Sequence, residues 1–167
     1  MGNRFELSIG FSRPLEPEFV TNVIMWKLGT NYSHAYIKLR DANTGKIIVF
    51  HADGPAFKAD VHSLSMDNFL KTKEEIYSYS TEISHERLKE IWEFLWDASG
   101  TDYGEGQLIR ILFNIKKDNG KKKYICSELV GRCLKEELAI DFDKLDRFTP
   151  KDLRERILLL SDTFKED

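Results

Sequence analysis

Two short segments joined by a turn constrain this chain more than anything else in it. Residues 33–40 (Ser-His-Ala-Tyr-Ile-Lys-Leu-Arg) and 45–52 (Gly-Lys-Ile-Ile-Val-Phe-His-Ala) are rich in β-branched and aromatic side chains, and Asp41-Ala42-Asn43-Thr44 between them is a turn-rich connector. The expected result is a β-hairpin. Side chains alternate along a strand, so Ala35, Ile37 and Leu39 share an apolar face while His34, Tyr36 and Lys38 share the more polar one. With the turn symmetric about Ala42 and Asn43, Arg40 faces Gly45 and His34 faces His51. A four-residue loop closed by Asp41 and Lys46 makes the two histidines diagonal neighbours, still on one face.

Around this hairpin the pattern alternates between strand and helix. Phe5, Leu7, Ile9 and Phe11 read as a first strand. Pro14 to Pro17 opens a helix carrying Phe19, Val23, Ile24 and Trp26, which Gly29 ends. Residues 66–71 suit a short helix and 75–81 a strand. In residues 84–98, Leu88, Ile91, Trp92, Leu95 and Trp96 fall on one helical face behind a Ser84 cap. Residues 107–115 read as another helix, 116–123 as a lysine-rich loop, and Thr149-Pro150-Lys151-Asp152 as a further helix start. His62 is placed in a loop and His85 in a first helical turn, both solvated. The class is therefore α+β, an antiparallel sheet packed against helices. With 167 residues, 41% hydrophobic, and no linker or repeat, residues 1–167 are expected to form a single domain.

Cys126 sits in Tyr124-Ile125-Cys126-Ser127-Glu128-Leu129-Val130, where the lysine loop stops and an amphipathic helix begins. At a helix N-terminus the unpaired backbone N–H groups and the positive end of the macrodipole favour thiolate over thiol, lowering a pKa of ~8.5 to roughly 3.5 to 7.5. Such a thiol is a nucleophile that needs a base. The hairpin supplies two imidazoles: one can take the Cys126 proton, the other can fix that ring's tautomer and orientation. Cys133, seven residues on, lies roughly 10 Å away along the helix axis and cannot bridge to Cys126. It is read as a buried core residue.

A formal net charge of −3 argues against nucleic acid as the main partner. The N-terminus carries no export or lipidation pattern, and no apolar run approaches ~20 residues, so the expectation is a cytoplasmic protein without a transmembrane segment.

The quoted residues resemble a known family, the circularly permuted branch of the NlpC-type papain-like cysteine peptidase superfamily, which includes the YiiX-like proteins and relatives of lecithin retinol acyltransferase. Tyr32-Ser33-His34-Ala35-Tyr36-Ile37 and Phe50-His51-Ala52-Asp53-Gly54 precede Tyr124-Ile125-Cys126-Ser127-Glu128-Leu129, the permuted order. Gly100-Thr101-Asp102-Tyr103-Gly104 and Phe148-Thr149-Pro150-Lys151-Asp152-Leu153 resemble flanking elements of the same family. The resemblance spans most of the chain after about residue 30. It implies a permuted papain-like fold with the nucleophile at a helix N-terminus, catalytic Cys126, base His34 and orienting His51. In papain-like enzymes the nucleophile's own backbone N–H helps form the oxyanion hole. Tyr124 is the candidate second donor.

The expected function is a cysteine hydrolase that cleaves an amide bond of a peptide or peptidoglycan fragment through an acyl-thioester, with no cofactor and no metal. Lipid acyl-ester transfer or hydrolysis on the same site is the alternative, with Trp26, Phe57 and Phe69 as candidates to line an apolar channel. Two non-enzymatic alternatives are a zinc site of His34, His51 and Cys126, which are chemically competent ligands, and a binding module that keeps the fold.

Overall fold

A computed structural model describes residues 5–53, 60–100, 125–140 and 148–167. Six strands form one antiparallel sheet: β1 (Phe5–Pro14), β2 (His34–Asp41), β3 (Ile47–Asp53), β4 (Asp60–Ser65), β5 (Lys73–Ile83) and β6 (Lys165–Glu166). They lie in the order β4-β3-β2-β1-β5-β6. The described helices are α1 (Phe19–Leu28), α2 (Met66–Phe69), α3 (His85–Ala98), α4 (Cys126–Leu138) and α5 (Pro150–Leu158). The expected α+β class holds at this level.

Local chemistry sets the ends of these elements. Pro14, which lacks an amide hydrogen, closes β1, and Gly29 at φ 65° terminates α1. The Ser84 hydroxyl accepts the Arg87 amide at the start of α3. Thr149 and Asp152 form a reciprocal capping box at α5, with Pro150 as its first residue.

Each face of the sheet has its own layer. Leu7, Ile9 and Phe11 of β1, Ala35, Ile37 and Leu39 of β2, and Phe50 and Ala52 of β3 pack with Ile91 and Leu95 of α3, Leu129, Val130, Cys133 and Leu134 of α4, and Leu153 and Ile157 of α5. This is the main core. On the opposite face Tyr36, Val49 and Phe69 form a second buried cluster, with Leu64 and Met66 against it. The link β4-α2-β5 crosses that face and covers it.

The residues expected to be the polar face of β2 are therefore buried: His34, Tyr36 and Lys38 are each less than a tenth exposed. The polar atoms of Tyr36 and Lys38 are paired. The Tyr36 hydroxyl donates to Glu75, and the Lys38 ammonium lies 3.0 Å from the same carboxylate. Ser78 and Ser80 donate to Asp167, which also draws in Lys38 at 3.8 Å.

Three expectations need correction. The hairpin is closed by the four-residue loop, with Arg40 opposite Ile47 and the Asp41 amide on the Lys46 carbonyl, rather than with Arg40 opposite Gly45. Asp41 holds this turn through its carboxylate, which accepts the Asn43 amide at 2.9 Å and the Thr44 hydroxyl at 2.9 Å. His62 is not in a loop but in β4, directly opposite His51 and half-buried. In α1, Ile24 is buried but Phe19 and Trp26 are largely exposed, so Trp26 does not line an interior channel, while Phe69 belongs to the second core. The expected helix over 107–115, the lysine loop, Phe57 and Tyr124 fall outside the described residues.

Candidate active site

The site begins at the open ends of β2 and β3. Ile37 pairs with Phe50, and continuing that register outward sets Tyr36 across from His51 and His34 across from Asp53. His34 and His51 are thus diagonal neighbours on one face, as the second of the two registers requires. His34 Nε2 and His51 Nδ1 lie 3.1 Å apart, with the rings nearly perpendicular at 82°. Both rings are buried.

The surroundings hold His51 from three sides. Phe69 of α2 meets its ring edge-on at 5.4 Å and His62 of β4 stands 4.4 Å away, each measured between ring centroids. Asp53, two residues along β3 and therefore on the same face, brings Oδ2 to 4.0 Å from His51 Nδ1. That carboxylate is itself anchored by the Lys73 ammonium at 2.5 Å, from the first residue of β5. Sequence reasoning missed Asp53 and Lys73. The signal for Asp53 was present: the same register that makes the histidines diagonal puts Asp53 across from His34.

Burial disfavours charge on both imidazoles. It pushes His34 down to about 4, with Asp53 opposing and Lys73 and His62 adding to the fall. His51 is lowered by burial first and then by neighbouring His34. For Asp53, burial raises the carboxyl, but His34, the Lys73 ammonium and His51 outweigh it and hold the group below its usual range. At neutral pH both rings are therefore neutral and Asp53 is a carboxylate.

Neutral rings share one hydrogen in the 3.1 Å contact. If His34 is to accept a proton at Nδ1, its Nε2 must carry the hydrogen and donate to His51 Nδ1. His51 must then carry its own hydrogen on Nε2, a buried atom with no hydrogen-bond partner. An unpaired buried donor costs roughly 1–3 kcal/mol. His51 therefore accepts from His34 most readily when a second proton on His34 strengthens the bond.

Cys126 is the first residue of α4 and fully buried. Its helix packs against β2 and β3, the two histidine strands. Ile125 is the N-cap and supplies no side-chain acceptor to the first turn. Ser127 ties the helix start to the α5 entry by donating to the Phe148 carbonyl. Glu128, also in the first turn, pairs with Arg132 at 2.9 Å. The apolar stripe of α4 lies on the Ala35 and Ile37 face of the sheet, whereas the imidazoles stand on the other. Cys133 is buried in the main core, where burial raises its thiol far above the ordinary range.

Among the described residues, the His, Cys, Asp or Glu groups with ligand atoms within 4.8 Å of one another reduce to His34, His51 and Asp53. Cys126 is not a member, so the third ligand of any metal set here is a carboxylate rather than the thiolate expected. No described helix is long and apolar enough to cross a membrane. No family model matches the chain, and no curated protein matches it.

Proposed function

We propose that the protein is a cysteine hydrolase of permuted papain-like fold, in which Cys126 attacks an acyl carbonyl, His34 is its base and His51 orients His34. The observation that carries this reading is the buried 3.1 Å contact between His34 Nε2 and His51 Nδ1. It occupies one nitrogen of His34 and leaves Nδ1 for proton transfer, beside strands on which the Cys126 helix is packed.

The chemistry follows in balanced steps. The Cys126 proton passes to His34 Nδ1 as sulfur bonds to the acyl carbon, and the imidazolium returns that proton to the departing amine. Water then attacks the thioester, giving one proton to His34, which passes it to the departing Cys126 sulfur as the acid is released and the free thiol restored. His51 accepts the Nε2 hydrogen of His34 throughout. The backbone N–H groups that begin α4 are the proposed oxyanion donors, with Tyr124 as the proposed second donor. Peptides or peptidoglycan fragments are the proposed substrates, and acyl esters use the same steps with an alcohol as leaving group.

Incubation with a p-nitrophenyl ester tests this without knowledge of the natural substrate. The expected result is an acyl adduct on Cys126 by peptide mass, absent from Cys126→Ala, and about 10²-fold slower release of nitrophenol in His34→Ala. Release at the same rate in Cys126→Ala would remove the reading.

A further inference from the structure

His34, His51 and Asp53 converge in a way that acyl chemistry does not require, since Asp53 is too far from His51 for a hydrogen bond and instead pairs with Lys73. We propose that these three side chains form a site for one divalent transition-metal ion of the zinc class, whose binding withdraws His34 from service as a base.

The donor set and spacing carry the inference. Zinc takes imidazole nitrogen and carboxylate oxygen at ~2.0–2.2 Å, so donors sharing one ion stand roughly 3–4 Å apart. His34 Nε2 and His51 Nδ1 are 3.1 Å apart, and His51 Nδ1 and Asp53 Oδ2 are 4.0 Å apart. All three ligand atoms fall within 4.8 Å of one another, so a shift of about 1 Å or less closes the set. The rings need little ordering, because they project from adjacent strands and His51 is packed by Phe69 and His62. The ion takes the place of the single hydrogen that the two nitrogens otherwise share.

Charge sets the selectivity. The Asp53 carboxylate is already balanced by Lys73 at 2.5 Å, so the site has no excess negative field to attract a cation. Affinity comes instead from the imidazole bonds, which suit zinc, cobalt and nickel, whereas magnesium and calcium call for oxygen ligands. Asp53 Oδ2 faces both Lys73 and the imidazoles, so the ion and the ammonium share that oxygen.

The test uses full-length, untagged, chelator-stripped protein, titrated with Zn²⁺ by calorimetry and with Co²⁺ by visible absorption. One equivalent is expected to bind in wild type and equally in Cys126→Ala, with no competition from millimolar Mg²⁺. Affinity is expected to fall at least about tenfold in Asp53→Asn and to disappear in His51→Gln. If His51→Gln does not fold, the near-isosteric Asp53→Asn decides alone. Absence of saturation at one equivalent, unchanged affinity in Asp53→Asn, or loss of binding in Cys126→Ala would overturn the proposal. Because Cys126→Ala has no nucleophile, binding there stands whether or not the hydrolase reading does. Failure to bind metal likewise leaves the ester result intact.

Discussion

Gly10→Ala is expected to destabilise the protein by about 3 kcal/mol, the upper range for overpacking in a well-packed interior. Gly10 lies in β1, paired to Tyr36 on one side and Ser78 on the other. A methyl group built there would overlap Cζ and the hydroxyl oxygen of Tyr36. Tyr36 cannot swing away cheaply, because it is fully buried, packed on Phe69 at 4.3 Å and bonded to Glu75. The measurement is the urea midpoint, expected to fall with the slope unchanged. Adding Tyr36→Leu should recover part of the loss, as the two positions share one space. Equal midpoints for wild type and Gly10→Ala would show that Tyr36 does not occupy this place.

Acid is expected to weaken the fold through the same histidines that make the site. His34 has a folded value of about 4 against 6.5 in the unfolded chain. The folded state therefore binds fewer protons, and stability rises with pH wherever that is so. The contribution is complete above pH 6.5, declines as pH falls from 6.5 towards 4, and amounts to about 3 kcal/mol for this ring. His51 is lowered for the same reason and adds to the loss. Asp53 is held below its ordinary value, so its share is lost only at still lower pH, as the carboxyl takes a proton. Unfolding free energies at pH 7 and pH 4.5, with a chelator present, are expected to differ more in wild type than in His34→Gln. Parallel pH curves for the two proteins would contradict the burial of a neutral imidazole at this position.

Much of the site was legible because strand periodicity is strong. Alternation set His34 with Tyr36 and Lys38 on one face of β2, and either of the two even registers brought His51 to that same face. The register itself was not fixed by pattern, since Asp41 chose the longer loop through its carboxylate bonds to Asn43 and Thr44. β4 was missed for a physical reason. Its apolar residues Val61 and Leu64 point to opposite layers, Val61 into the main core and Leu64 against Tyr36 and Val49, so no simple alternation marks it. With β4 unseen, His62 looked like a loop residue. The helix caps at Ser84 and Thr149 were readable because they depend on local spacing alone, whereas Lys73 reaches Asp53 through a chain crossing that no local pattern encodes.

The account rests on Cys126 as an activated thiol, and the pH dependence of iodoacetamide labelling on the folded protein tests that most directly. Label is located by peptide mass, with Cys133, which sits in the main core with its thiol pushed far above the ordinary range, as the internal control. The account predicts fast labelling of Cys126 below about pH 7 in wild type, slowed markedly in His34→Ala, while Cys133 stays unlabelled. Labelling of Cys126 that rises only near the free-thiol value of about 8.5, at the same rate in both proteins, would contradict it.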